Sequence, residues 1–514
     1  MGLFKNTILG TGAAFVSVAT AYAADLPARK AAPVDYVRIC DAYGAGFFYI
    51  PGTDTCLRIG GRVRADYGLV QPQVIYGESA GRNSVVALTP GTTYIGPTQA
   101  AQTSVGAVPT IDASGNVNII SAKNAQHTVG WEARARITFD ARTSTAWGVV
   151  QTAGALRMAR TTGVFATNDT NTATSTSAGV TLESAFIRFA GFTFGISRDN
   201  FVNMPSLTYG SGHWGAFANG AKQLAYTYSF GGGFSATIAL QDLADTGGGI
   251  YQVDGSVPGT ARYVYNTAPN LVGRLDLEQG WGSASLAGAV AQVGASNNNN
   301  INGLGVNPST LANSFAAKET VWAVNAGLRI NLPMLARGSK LYLTAAYADG
   351  MTEYTTNWSS FKSSAGARDV GGFTMNHPSV VFEGSGATSR IETVKSWNLA
   401  ALLEHYWTPQ YRSVLWGSYG SLDAPITASN RAWNGTTGFG DATVWNVGTN
   451  FAWIPTKDFE IGVEVIYARV EQDVRAGVSN GALGATSGGV IATDTVFSRS
   501  NSAVTGRLRV ERTF

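Results

Sequence analysis

Arginines recur at alternate positions in three stretches of this 514-residue chain. Arg58, Arg62 and Arg64 precede Asp66; Glu132, Arg134 and Arg136 precede Asp140; Arg507 and Arg509 precede Glu511. In an extended strand residues i and i+2 share a face, so each run lays guanidiniums and carboxylates along one side. Such a wall attracts, orients and repels ions; it is not equipped to make or break bonds. Two readings stay open. Either the arginines form a ladder that sets the sign of the ions it favours, or each is paired locally with Glu or Asp and merely keeps a polar wall hydrated.

Bond-making chemistry finds little else to stand on. Of the four histidines, His127, His213 and His377 fall in loop-like stretches and His405 ends a strand-like one. No G-x-S-x-G, H-E-x-x-H or phosphate-binding loop occurs, so neither an enzyme nor a cofactor is expected. Glu404-His405 reads as a pair at a rim. The net charge of +3 is too small to imply nucleic acid.

The first residues direct the chain out of the cytoplasm. Lys5 supplies a positive start, residues 8–18 are apolar or small, and Ala21-Tyr22-Ala23 fits a signal-peptidase site, so residues 1–23 are expected to be removed. A single membrane anchor is the alternative, but Gly10, Thr11 and Gly12 break the apolar run. In an exported chain Cys40 and Cys56 are expected to pair, tying an N-terminal segment at 24–55 to the first strand-like residues. Two buried thiols are the alternative; without neighbouring His the pair makes no metal site.

Regular elements must position these residues. No later apolar stretch reaches the ~18 residues of a membrane helix. Charged residues are only 13% and Gly as many as 62, which suits a chain with one watery wall and one lipid-facing wall. Residues alternate with period two from Cys56 onward. Val129, Trp131, Ala133, Ala135, Ile137 and Phe139 oppose Glu132, Arg134, Arg136 and Asp140; Phe459, Ile461, Val463 and Val465 oppose Glu460 and Glu464. About sixteen such segments are expected, at 56–67, 128–142, 146–158, 182–190, 192–198, 221–230, 234–241, 270–279, 281–292, 320–331, 340–348, 395–407, 410–420, 442–453, 459–470 and 503–514. In the third and ninth the two faces do not sort.

Connections alternate between tight links, such as 190–191, 231–233, 408–409 and 455–458, and long ones, such as 68–127, 241–269, 349–394 and 471–502. Short–long order is what an up-and-down membrane barrel needs, with turns at one rim and loops at the other. A secreted soluble β-sandwich has no reason to keep its long loops at one end. Trp131, Trp147, Trp281, Trp322, Trp397, Trp445 and Trp453, with Tyr67, Tyr347 and Tyr467, lie near segment ends or on apolar faces, as rings at a lipid–water boundary do. The reading is an all-β chain, a transmembrane antiparallel barrel over residues 56–514.

Residues 36–61, YVRICDAYGAGFFYIPGTDTCLRIGG, closely resemble the N-terminal signature of the alphaproteobacterial porin family, the Brucella–Rhizobium outer-membrane type. The resemblance extends to ESAFIRFAGFTFG at 183–195, to 224–240 and to the Arg-x-Phe ending; residues 240–450 match by pattern alone. It implies a sixteen-stranded general porin in the outer membrane, passing small hydrophilic solutes and ions. It also implies a homotrimer among membrane lipid and lipopolysaccharide, and an inward-folded third loop at 197–220. That loop carries one acid, Asp199, where porins of this kind place several against wall arginines, so a weakly selective pore leaning to anions is expected. Phe514 resembles the terminal aromatic read by the barrel assembly machinery, although Arg512 stands where many barrels have an apolar residue. A sugar-type channel with Tyr209, Trp214 and Phe217 as an aromatic slide, and an adhesive barrel with a closed lumen, are the rival expectations. A plugged siderophore receptor would need more chain ahead of the barrel than 24–55.

Overall fold

The computed structural model describes residues 38–70, 74–75, 109–111, 117–119, 122–123, 129–165, 176–210, 220–242, 250–252, 263–266, 268–296, 316–356, 379–383, 390–425, 441–476 and 495–514. The expected leader, and Trp214 and Phe217, lie outside them. Sixteen strands form a closed ring: β1 (Thr55–Val70), β2 (Val129–Thr145), β3 (Gly148–Thr162), β4 (Thr176–Phe189), β5 (Phe192–Ser197), β6 (Ala221–Gly231), β7 (Phe234–Asp242), β8 (Asn270–Gln279), β9 (Gly282–Ser296), β10 (Ala316–Asn331), β11 (Lys340–Asp349), β12 (Lys395–Thr408), β13 (Tyr411–Asp423), β14 (Ala442–Thr456), β15 (Phe459–Ala476) and β16 (Thr495–Thr513). Each pairs antiparallel with its sequence neighbours. β16 returns to β1, with Arg62 opposite Thr513 and Val70 opposite Thr505, so no edge is left to hydrogen-bond elsewhere. Two short segments, Phe48–Tyr49 on β1 and Tyr263–Asn266 on β9, flank the ring.

Tight turns join β2 to β3 and every second pair thereafter, all at one rim. The turn at 231–233 shows why glycine is needed there: φ is 86°, 59° and 82° at Gly231, Gly232 and Gly233, a region that side chains with a Cβ enter only with strain. β1, β15 and β16 run several residues further into the expected loops than the alternation indicated, to Val70, to Ala476 and from Thr495. A strand that continues past the lipid loses its apolar face while keeping its ladder.

The wall itself carries the signature of a bilayer. Ile59, Val63, Leu224, Ile238, Leu275, Leu286, Leu399, Leu415 and Val463 all point outward and stay exposed. On β12, Trp397 and Trp407 share the outer face ten residues apart. That is about 33 Å along the strand and about 25 Å along the membrane normal at a tilt near 40°, the height of an outer-membrane apolar band. At the long-loop level, aromatics pair across strands: Tyr67 with Trp131 (4.6 Å), Trp322 with Tyr347 (5.4 Å), Trp397 with Tyr419 (5.4 Å) and Trp445 with Tyr467 (5.1 Å).

The inner face departs from the expected polar wall on one side. From β6 to β11 it bears Ala225, Ala239, Val272, Ala287, Ala289, Val321, Ala323 and Ala348, which pack with Phe201, Val202, Met351, Tyr354, Val380 and Ile391 from the connections. Small residues are used there because chain, not water, covers them. This explains why the ninth segment did not sort: β9 is apolar on both faces. The third did not sort because β3 puts small Ala153, Ala155 and Ala159 on its inner face and polar Thr152 and Arg160 on its outer one; the bulge against β4 lies at Glu183 and leaves the faces of β3 unchanged.

Candidate functional site

Closure of β16 on β1 brings three arginine runs together. Across the β16–β1–β2 seam, Asp66 lies opposite Arg509 and Arg64 opposite Glu511 on β16, while toward β2 like charges face each other (Asp66 and Glu132, Arg64 and Arg134) and opposite charges meet diagonally. Asp66 is the hub. It is fully buried and takes Arg509 on both carboxylate oxygens (2.8 and 2.9 Å), with Arg64 and Arg507 each at 3.3 Å. Glu132 joins Arg64 (3.3 Å) to Arg134 (3.0 Å). The sequence left open a ladder or local pairing, and the arrangement is both: the guanidiniums share one wall, and each has a carboxylate.

Lower on the same wall, toward the turns, the charges are more open. Arg58 is half exposed, 3.6 Å from Asp140. Arg62 lies 3.4 Å from Glu511, and Arg136 donates to Glu183 at 2.7 Å. Arg142, Arg157 and Arg188, which alternation alone did not single out, extend this basic surface across β2, β3 and β4. Their shared face depends on the strand register.

Residues 198–210, after β5, are hydrogen-bonded to distant strands of the wall. Asn203 donates to Asn325 on β10 (2.6 Å), Asn450 on β14 donates to the Leu207 carbonyl (3.0 Å), and Gly210 N–H donates to Glu464 on β15 (2.7 Å). Tyr209 is held at four points. Its N–H donates to Glu464 and its hydroxyl to Glu460 (2.5 Å), while its carbonyl accepts from Arg507 and from Arg509 (2.9 Å). The Arg509 guanidinium also lies over the Tyr209 ring, 4.4 Å from its centre. Burial, and then the charge of Glu460, hold the Tyr209 hydroxyl well above its usual pKa, so it stays a donor. Inner-wall glycines make the room: a Cβ on Gly462 would collide with the Tyr209 ring, and one on Gly327 with Asn203.

Asp199 sits at the root of this segment, away from the arginine seam. One of its oxygens accepts the N–H groups of Phe201 and Val202 (3.2 Å to the latter), which fixes the bend. Burial pushes its carboxyl up to about 6 despite those two bonds. Glu460 and Glu464, two acids four apart on one strand face, were the readable signal for the anchor. Tyr209, expected as part of an aromatic slide, belongs to that anchor instead.

At the turn rim Cys40 and Cys56 form a disulfide with Cα atoms 6.0 Å apart. It seats Phe47 inside the loop, with Arg58 (4.9 Å) and Arg142 (5.2 Å) over its ring. Phe514 continues the β16–β1 ladder, exchanging both backbone hydrogen bonds with Gly61 at 2.9 Å, and its side chain is two-thirds exposed.

A family model described as the porin subfamily matches residues 25–487. Porin Omp2b of Brucella suis and of Brucella abortus are each 31% identical over 304 residues, 56% of this chain and 65% of theirs. The match therefore spans slightly less than two thirds of those relatives. Among solved structures, the outer membrane channel DcaP of Acinetobacter baumannii aligns with a TM-score of 0.50 at 15% identity, covering 91% of this chain and 99% of that one, a likeness of fold.

Proposed function

The chain belongs to the porin subfamily, and from that premise we propose that it forms a water-filled channel for passive diffusion of small hydrophilic solutes and ions across a bacterial outer membrane. The observation that carries the reading is the asymmetry of the lumen. The segment 198–210 is fastened along β10, β14, β15 and β16, while on β1–β4 Arg58, Arg62, Arg136, Arg142 and Arg157 keep 30–50% of their side-chain surface accessible. In this reading that segment narrows the pore, and permeants pass along the opposite, basic wall.

Polarity comes from the same wall. Asp140 and Glu183 neutralise part of the charge, and Arg188 adds an arginine with no carboxylate in ion-pair distance among the described residues. The pore leans weakly to anions. Single-channel recording in a KCl gradient is the test: an anion-leaning reversal potential is expected, and a clearly cationic one overturns the lean.

Family membership supports a channel over an enzyme. It also supports a homotrimer, export by the leader at 1–23, and reading of Phe514 by the assembly machinery, all carried by resemblance. A closed, adhesive barrel has one observation in its favour, the dry packing of Phe201, Met351 and Tyr354 on β6–β11. Conductance near zero in a correctly folded barrel would select it.

A further inference from the structure

On the turn side of the 198–210 segment lies a cavity of about 550 Å³, lined by Arg142, Arg188 and Arg198 together with Gln151, Asn200 and Tyr43. The three arginines are not equivalent. Arg142 grips Asp140 through Nε (3.0 Å) and Nη2 (2.8 Å), leaving only Nη1 unused. Arg198 gives Nη2 to the Met204 carbonyl at 3.0 Å, and its Nε and Nη1 make no bond among the described residues. Arg188 lies over the Phe186 ring at 4.6 Å, and among the described residues its guanidinium makes no hydrogen bond or ion pair.

Both Arg188 and Arg198 are exposed to the lumen, and among the described residues neither has a carboxylate within ion-pair distance. The neighbouring carboxylates are occupied. Asp140 serves Arg142, Arg58 and Gln151, and Asp199 is turned to the backbone of Phe201 and Val202. The same two arginines also line a second cavity of about 510 Å³, where Arg274 is already held by Asp276 at 2.7 Å and Arg329 by Glu278. Arg188 and Arg198 thus stand where two cavities meet, in a concave site and without an ion pair among the described residues.

We propose that Arg188 and Arg198, assisted by the free edge of Arg142, form a binding subsite for small phosphorylated solutes just below the constriction. The proposal rests on the channel reading and names a solute class for it. A guanidinium offers two parallel N–H donors at the spacing of phosphate oxygens, and a phosphate has enough oxygens to engage several forks at once. A neutral sugar finds no equivalent, and chloride cannot use the fork geometry. Asn200 is committed to Gln223, and Gln151 to Asp140, so they frame the site and the arginines supply the recognition.

The test measures binding separately from conduction. The ³¹P line of inorganic phosphate, and of a hexose monophosphate, is followed as folded protein in detergent is added, for the native chain and for Arg188→Gln and Arg198→Gln. Native protein is expected to broaden both lines, and each substitution to weaken the apparent affinity about tenfold, the loss of one charge-assisted contact. Heat-modifiable migration on gels establishes that each variant is a folded barrel. No broadening by the native protein, or equal broadening by both variants, overturns the subsite. In parallel, KCl conductance reads the channel itself. Arginine-dependent phosphate binding in a barrel that does not conduct would sustain the subsite while removing the channel reading; conduction without that binding would do the reverse.

Discussion

Glu464 is a single carboxylate on the barrel wall that accepts the N–H groups of both Tyr209 and Gly210. A hydrogen bond to a charged group contributes about 1.5–3 kcal/mol, and Glu464 accepts two of them. Replacing it with Gln removes the charge at nearly constant shape. The expected result is a loosened segment, seen as higher single-channel conductance and greater open-channel noise; conductance and noise like those of the native pore would sink the idea. Asp199 gives this region a pH dependence. Its folded pKa, about 6, stands above that of a free aspartate, so between these values the folded state holds the extra proton. Its contribution is therefore complete at pH near 4 and is lost as pH rises through 6. The melting temperature of the detergent-solubilised barrel should carry a component that falls from pH 5 to 7, and Asp199→Asn should abolish that component.

At the level of elements, the barrel wall and the 198–210 segment fastened to it follow different rules. The strands were legible because period-two alternation, tight turns and aromatic ends are local features, and all sixteen expected segments coincide with strands. Their ends were less legible, since β15 and β16 continue beyond the lipid, where the apolar signal stops. The 198–210 segment has no period at all. Its path is written instead into the wall, in Gly327 and Gly462, which leave space for Asn203 and Tyr209, and in Glu460 and Glu464. Gly462→Val would place a side chain where the Tyr209 ring lies. β15 would still pair with its neighbours, because valine favours extended backbone. The expected phenotype is a folded barrel with altered conductance, and an unchanged current amplitude would argue against anchoring at this point.

For the whole molecule, closure is the event that makes a site. Arg64 and Asp66 lie more than four hundred residues from Arg507 and Arg509, yet they share one charge cluster because β16 pairs with β1. Phe514 completes that seam through its two backbone bonds to Gly61. Deleting it is expected to lower the amount of assembled protein while leaving the conductance of the surviving channels as it was; normal assembly of the truncated chain would refute the role. The sequence by itself determined the barrel, its strand number and the inward direction of the charged faces, since each depends on alternation within ten or so residues. It also carried the pairing of Cys40 with Cys56, as the only two cysteines of an exported chain. Tertiary structure alone decided which charges meet, which are spent on one another, and which remain free. The wall arginines at Arg64, Arg507 and Arg509 are spent on Asp66, Glu132 and the Tyr209 carbonyl, whereas Arg188 and Arg198 are not. That difference is set by strand register and by the anchoring of residues 198–210 on the wall, and neither leaves a periodic trace in the residues that form it.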